Sequence, residues 1–324
     1  MNRQRRQTLR SLAAAAAAAA VRPLAAQDTR PLVLVVPFAA GGATDNVARF
    51  LATRLQTRLG RNVVVENRPG ANGLVGSQFV LQQPTDGQTL LLGSYSTHVI
   101  APLATRRPGD AARSTLTDFQ ALALVGHAPL ALAVATASPL RSLADFAARA
   151  KAVPTTFGTF GAGSSAHLLG QVLAARLGVR LVHVPYKGSG PATTDLVGGH
   201  VDAVILTAAA VSPLAANGQL RVLAVSSKAR LPALPAVPTL AEQGQPDLAD
   251  TGWFALFAPT RVPADARARL ATALSAITAE PAVRQRLVEL GLEPADDAED
   301  AQALWQRSGE AARAMLARVH FDPE

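Results

Sequence analysis

The chain has 324 residues, 49% of them hydrophobic, with no cysteine and with 31 basic against 23 acidic side chains, a formal charge of +8. The missing cysteines exclude disulfides, thiolate metal sites and a thiol nucleophile. Five arginines (positions 3, 5, 6, 10 and 22) and no acid fall in the first 26 residues, so the remainder has 26 basic and 23 acidic groups, or +3, and no basic run with interleaved aromatics marks a nucleic-acid surface.

Taken in chain order, residues 1–10 are basic, 12–21 are apolar and almost pure alanine, and small residues follow at Ala25 and Ala26. This is the layout of a bacterial export signal, with processing expected after Ala26. The apolar run is about ten residues, too short for a bilayer span of roughly 20. Arg5-Arg6-Gln7-Thr8-Leu9-Arg10 resembles a twin-arginine signal, which implies export in the folded state. Residues 27–324 suffice for one large or two ordinary domains.

From there one pattern repeats: a short β-rich run, a glycine-bearing turn, then an amphipathic helix. Residues 32–37 (LVLVVP) read as a buried strand, and Val47, Phe50, Leu51, Leu55 and Leu59 follow at helical spacing. Strands are expected at 62–66 and 90–93, with a helix at 74–82 between them. The pattern restarts with strands at 122–125 and 130–134, a helix at 143–152, a strand at 155–159 and a helix at 166–177. Further strands are expected at 181–184, 203–206 and 221–226, with a helix at 192–198. Pro232, Pro235 and Pro238 punctuate a crossing segment before a strand at 253–258, and helices close the chain at 264–278, 281–290 and 298–319. Strands alternating with helices indicate parallel βαβ units and an α/β class. We expect two lobes, one of residues 27–127 plus 235–324 and an inserted one of 128–234.

Ligands in open parallel sheets sit beyond the carboxyl ends of strands, so the strand-to-helix turns are the informative ones. The first, Pro37-Phe38-Ala39-Ala40-Gly41-Gly42-Ala43-Thr44-Asp45, has glycines that let backbone N–H groups converge, and Thr44 or Asp45 is placed to cap the helix. A helix N-terminus offers unpaired donors and partial positive charge, which suits a carboxylate. The second turn, Gly158 to Ser165, adds the hydroxyls of Ser164 and Ser165 to its amides. The third is Lys187-Gly188-Ser189-Gly190-Pro191, with Pro191 suited to the first helical position. A plain capped turn explains any one of these equally well. Together, and facing Ser94, Ser96 and Thr97, they describe a clamp for a ligand with one or two carboxylates.

Other chemistries fit less well. Gly161-Ala162-Gly163-Ser164-Ser165-Ala166 matches the loose dinucleotide fingerprint, but the required acid about 20 residues on is missing. No GxxxxGK[ST] loop exists, and Gly93-Ser94-Tyr95-Ser96-Thr97 lacks the second glycine of a nucleophile elbow. The six histidines show no HxxxH or HxH grouping, so no metal and no cofactor is expected; His98, His167 and His183 read as polar packing or rim residues. Residues 296–300 (DDAED) read as a solvated helix start.

At this point the sequence resembles the substrate-binding receptors of tripartite tricarboxylate transporters, the TctC or Bug group. The resemblance rests on VVPFAAGGATDNVAR (35–49), VVVENRPGANG (63–73), DGQTLLLG (86–93), FGTFGAGSSAHLLG (157–170), HVPYKGSGPATTDLVGGHVD (183–202), LRVLAVSS (220–227), LPAVPTLAEQG (234–244) and WFALFAP (253–259), in family order. It implies a two-lobed, type II-like periplasmic binding-protein fold, with a mainly parallel sheet flanked by helices in each lobe and a ligand cleft between them. It implies a carboxylate held, partly through water, by the turn carrying Pro37, Phe38, Ala40, Gly41, Gly42 and Thr44. Ser94, Ser96 and Thr97, then Gly161, Gly163, Ser164 and Ser165, and then Lys187, Gly188, Ser189 and Gly190 would meet the ligand's other end. Water bridges can be nearly as favourable as direct bonds and tolerate ligand variation.

The chain also departs from its relatives. Leu206-Thr207 stands where many have Asp-Asn, which puts Thr207 in the site and argues against an amino-acid ligand. Ala101-Pro102 replaces a common Asn-Pro, and the region 106–113 looks irregular. The expectation is a monomeric, non-enzymatic periplasmic receptor whose partners are a small carboxylate and the membrane subunits of a tripartite carboxylate transporter. A ligand sensor feeding a membrane histidine kinase is the alternative.

Overall fold

Runs of valine and leucine build the first three strands. β1 (Leu32–Val36), β2 (Val63–Asn67) and β3 (Thr89–Ser94) lie parallel in the order β2-β1-β3, with Leu34 opposite Val65 on one side and Leu90 on the other. The computed structural model describes residues 30–104, 118–249, 251–296 and 298–316; the export signal expected at 1–26 and the irregular stretch at 106–113 lie outside these. Helix α1 (Ala43–Leu59) follows β1 and buries Val47, Ala48, Leu51, Ala52 and Leu55, the stripe its 3.6-residue period dictates. Burying Leu51 and Leu55 stabilises the fold by about 1.5–3 kcal/mol each. Gly60 ends α1 in the left-handed region, φ 64°, with its N–H on the Gln56 carbonyl. Helix α2 (Leu74–Gln82) connects β2 to β3. After β3 the chain forms a π-helical turn, Ser96–Ile100, that runs into the short α3 (Ala101–Ala104).

The middle of the molecule is one long strand. β4 (Phe119–Ala135) has 17 residues and is buried along almost its whole length, about three times the usual strand length. The sequence pattern predicts two strands here, because Gly126 and Pro129 interrupt the apolar run. The structure instead carries the strand through both: register shifts fall at Ala121/Ala123 and Leu124/Gly126, while Pro129 stays in register opposite Thr251. A side chain at Gly126 would put its Cβ 2.8 Å from the Glu293 carbonyl, so the glycine is required by close approach.

Residues 119–129 of β4 pair antiparallel with β9 (Thr251–Pro259), which also pairs antiparallel with β3. From Leu130 onward β4 pairs instead with β7 (Ala203–Thr207) and β8 (Leu220–Val225). Beyond β7 lie β5 (Thr155–Thr159) and β6 (Leu181–Pro185), parallel to one another, with β5 also parallel to β7. The full order is β2-β1-β3-β9-β4-β7-β5-β6, with β8 beside β4. Helices α4 (Leu143–Ala152), α5 (Ser165–Leu177), α6 (Ser189–Val197) and α7 (Ala208–Ala216) connect the second group of strands. The outcome is an α/β fold with two halves, in which the strands that join them run antiparallel to their neighbours.

One boundary differs from the sequence expectation in a way that matters. α6 begins at Ser189, so Pro191 occupies the third helical position and not the first. Proline is tolerated there because first-turn N–H groups have no partner within the helix. Two further serine and glycine amides thereby join the helix start.

The C-terminal helices α8 (Ala264–Thr278), α9 (Pro281–Glu289) and α10 (Ala301–Leu316) follow β9. Asp300 Oδ1 accepts from Ala303 N–H, so the acidic stretch before α10 does act as a helix start. Trp305 is fully buried; its indole N–H donates to the His98 carbonyl at 3.0 Å, and its ring meets His98 and Phe257 edge-on. His98 stacks flat on Phe257 at 4.0 Å. This aromatic block braces the π-helical turn from behind and thereby fixes Ser94 to Thr97 at the end of β3.

Candidate functional site: a cleft rimmed by helix N-termini

Four helices begin around one cleft. The first, α1, has Gly42 as its N-cap in extended conformation (φ −87°, ψ 176°) and no side-chain cap. Neither Thr44 nor Asp45 caps it as the sequence suggests. Asp45 folds back to accept from Gly41 N–H at 3.0 Å, Arg49 Nε at 2.9 Å and Asn67 Nδ2 at 3.0 Å. Burial alone would raise the Asp45 carboxyl, but Arg49, the Gly41 amide and Asn67 outweigh it and hold it below the usual carboxylate range. Asp45 is spent on shaping the turn, and Thr44 lines the cleft.

Across from this turn, α6 starts after Gly188, also without a side-chain cap. Ala39 N–H donates to the Lys187 carbonyl at 2.9 Å. A Cβ on Gly188 would come within 3.1 Å of Ala39 N, and one on Gly190 within 3.0 Å of the Ala40 carbonyl. Only glycine lets the two turns approach so closely.

The third helix, α5, has Ser164 as N-cap, its hydroxyl accepting from His167 N–H at 3.1 Å. Ser165 N–H donates to Ser96 Oγ at 3.1 Å, Ser96 Oγ donates to Asn72 Oδ1 at 3.2 Å, and Asn72 Nδ2 donates to the Gly163 carbonyl at 2.8 Å. This relay ties the β3 end and the Asn72 turn to α5. Behind it His167 and His183 stack at 3.6 Å, and His183 Nε2 meets Thr159 Oγ1 at 2.8 Å. Burial, then the neighbouring His167, push His183 down to about 3, so it stays neutral. Both histidines are packing groups beneath the loop.

The fourth helix start is α7, capped by Thr207 without a side-chain bond. Thr207 is 8% exposed, and its Oγ1 is buried with no hydrogen-bond partner. A buried hydroxyl in that state costs about 1–3 kcal/mol.

The cleft holds about 370 Å³ of empty space, part of it open to solvent. Polar groups come from Thr44, Ser94, Ser96, Ser165, Ser189 and Thr207; the apolar wall includes Phe38, Tyr95, Ala128, Leu130, Phe160, Trp253 and Phe254. Phe38 and Phe160 meet edge-on at 5.8 Å, and Tyr95 meets Trp253 at 6.3 Å. Among the described residues no Asp, Glu, Lys, Arg or His side chain lines it, and no three of His, Asp or Glu lie together where a metal ion would sit. The positive potential comes from helix ends alone.

Of the residues expected at the site, Phe38, Thr44, Ser94, Ser96, Ser165, Ser189 and Thr207 line this cleft. Ala40, Gly41, Gly42, Gly188 and Gly190 supply the backbone of the two opposed turns, with Gly41 at φ 79°. Pro37 packs beneath, close to Gly73 and Gly76. Thr97 Oγ1 is occupied by the Ser94 amide and carbonyl, Ser164 by its own cap, and Gly163 by Asn72. Gly161 and the exposed Lys187 border a separate depression of about 500 Å³ that also touches Phe38, Asn72 and Phe160. Sequence reasoning does not single out Asn72, Tyr95, Ala128, Leu130, Phe160, Gly252, Trp253 or Phe254. Asn72 had a readable signal, since an Asn-Gly pair favours left-handed backbone, and it adopts φ 47°.

A nine-stranded α/β fold with a neutral, donor-rimmed cleft between its halves is that of a two-lobed periplasmic binding protein. The description "Tripartite tricarboxylate transporter family receptor" matches residues 47–317, and the chain belongs to that family. Protein BugT of Bordetella pertussis is 42% identical over 234 residues, 71% of each chain. A protein in the tcbD-tcbE intergenic region of Pseudomonas sp. (strain P51) is 36% identical over 304 residues, 92% of this chain and 89% of its own. Among solved structures, an R. palustris protein with adipate superposes with a TM-score of 0.82 at 33% identity, covering 91% of this chain and 98% of that one. MatC from Rhodopseudomonas palustris with bound malate gives 0.81 at 29% identity, covering 89% and 99%. The binding proteins of this family are periplasmic, and no helix among the described residues is long and apolar enough to cross a membrane.

Proposed function

We propose that the chain is an extracytoplasmic receptor that captures a small carboxylate between two lobes, residues 27–127 with 235–324 and residues 128–234. It then delivers the ligand, as a monomer, to the membrane subunits of a tripartite tricarboxylate-type transporter. The observation that carries this reading is the convergence of four helix starts, three without side-chain caps, on a cleft with no charged side chain. Unpaired N–H donors and the orphaned Thr207 hydroxyl suit an anion held by hydrogen bonds, and a carboxylate held without a fixed countercharge is released readily. An amino group would find no acid among the described residues of this cleft. The contacts Ala39–Lys187, Asn72–Gly163 and Ser96–Ser165 support closure of one lobe on the other.

The same geometry favours binding over turnover. His98, the imidazole nearest Ser94, has its Nδ1 against Thr97 Oγ1 at 2.8 Å, and Thr97 in turn donates to the Ser94 carbonyl. Burial pushes His98 down to about 3, too weak a base to activate a serine at neutral pH. The test is a thermal-shift screen of residues 27–324 against mono-, di- and tricarboxylates, amino acids and neutral compounds. A ligand at a hundredfold its Kd adds about 2.7 kcal/mol. A response confined to carboxylates supports the reading; a response only to neutral or cationic compounds overturns it.

A further inference from the structure

The ligand cleft does not end at its helix-rimmed floor. A second depression, with about 320 Å³ of empty space of which part is open to solvent, shares Tyr95, Leu130 and Ser165 with it and extends to Leu168, Leu169 and Val172 on α5 and to Leu248. Leu168 and Leu248 are each 2% exposed and Val172 is 8% exposed. Among the described residues, apart from Ser165 and Tyr95, which belong equally to the first cleft, every side chain around this annex is aliphatic. The two hydroxyls stand where the annex meets the first cleft; beyond them the annex adds aliphatic surface and, among the described residues, no cation.

We propose that the annex receives the apolar body of the ligand, so that the substrate class is monocarboxylates with an extended alkyl or aryl group and not dicarboxylates. This deepens the carboxylate reading and rests on it. A carboxylate seated at the helix starts, with a tail running past Tyr95 and Leu130, meets apolar surface throughout. A second carboxylate at the far end would be stripped of water among Leu168, Leu169, Val172 and Leu248 with no cation among the described residues to pair with, which is strongly unfavourable. The annex also favours an apolar tail, because each methylene it removes from water favours binding.

The experiment is isothermal titration calorimetry of the mature protein with acetate, butyrate, hexanoate, octanoate and 3-phenylpropionate, and with adipate as the chain-matched partner of hexanoate. Affinity is expected to rise about fourfold per added methylene until the annex is full, and hexanoate is expected to bind about tenfold or more tighter than adipate. Val172→Phe fills the annex and is expected to erase the gain of hexanoate over butyrate. Leu248→Ala enlarges it from the side of a short 3₁₀ turn and is expected to improve binding of 3-phenylpropionate over wild type. Affinity independent of chain length, or adipate binding as tightly as hexanoate, overturns the annex and leaves a dicarboxylate receptor. Failure of every acid in the series to bind, with 1-hexanol titrated alongside and bound instead, overturns both readings together.

Discussion

Asn72 is the residue whose replacement reports most directly on closure. It is 9% exposed, in left-handed conformation (φ 47°, ψ 42°), and its amide makes two bonds, to the Gly163 carbonyl and from Ser96 Oγ. Asn72→Gly keeps the backbone conformation at no steric cost and deletes the amide. Only the bond to Gly163 crosses between the lobes; it contributes about 0.5–1.5 kcal/mol net, so the closed form should lose about 1 kcal/mol relative to the open one. The Ser96 bond lies within one lobe and is lost from both forms, so apparent affinity should fall about fivefold. Asn72→Ala loses the same bonds and adds about 1–2 kcal/mol of left-handed strain in both forms. It should therefore bind like Asn72→Gly and melt at a lower temperature. Calorimetric titration gives the affinities, and quenching of Trp253 in the cleft wall gives an independent readout. If Asn72→Gly binds within threefold of wild type, the relay does not bias closure and the reasoning is wrong.

Three further substitutions separate closure, ligand pairing and stability. Gly190→Ala places a methyl 3.0 Å from the Ala40 carbonyl across the cleft without left-handed backbone; ligand affinity should drop about tenfold while the ligand-free melting temperature holds, and a matching drop in both would refute an effect on closure. Thr207→Val replaces an orphaned buried hydroxyl with a methyl of the same shape; the ligand-free protein should gain up to about 1 kcal/mol in urea unfolding and lose about tenfold in carboxylate affinity. His98 is about 3 when folded and 6.5 as a free side chain, so the unfolded chain binds the extra proton between those values. Stability from this residue is complete above pH 6.5, has fallen by about 2 kcal/mol at pH 5, and keeps falling toward pH 3. His98→Asn should show a correspondingly smaller difference between urea unfolding at pH 8 and pH 5; an equal difference in both proteins would remove His98 as the cause.

The elements and the cleft differ in how legible they were from sequence. Period alone located α1, α4 and α8, because a single apolar stripe is a local property of the chain. It divided β4 in two, since Pro129 and Gly126 break the pattern locally while pairing with β9 and β8 holds the strand together from afar. The donor turns were legible for the same local reason: glycine, serine and threonine after a buried strand leave few backbone alternatives. Trp253, Tyr95 and Leu130 were not, because each reaches the cleft only once β9 and β4 lie side by side. Asp45 was visible and misassigned; its role depends on Asn67, which arrives from the next strand. Thr207 was legible as a departure from the family pattern, but its unpaired state appears only with its surroundings in place.

The shared strand β4 gives the two halves unequal histories during synthesis. Every strand of the second half, from Leu130 of β4 through β8, lies within residues 130–225, so that half has all its parts soon after its last strand emerges. The first half must wait, because the edge of β3 away from β1 and the early part of β4 both pair with β9, with Leu91 opposite Phe257. Until then their apolar edges stay open, which is the exposure that slows folding and invites association. If the Arg5-Arg6 pattern is the twin-arginine signal expected from the sequence, a route that accepts only folded cargo would in effect test for the arrival of β9 and of Trp305 behind it. Chains cut short of them should then accumulate inside the cell.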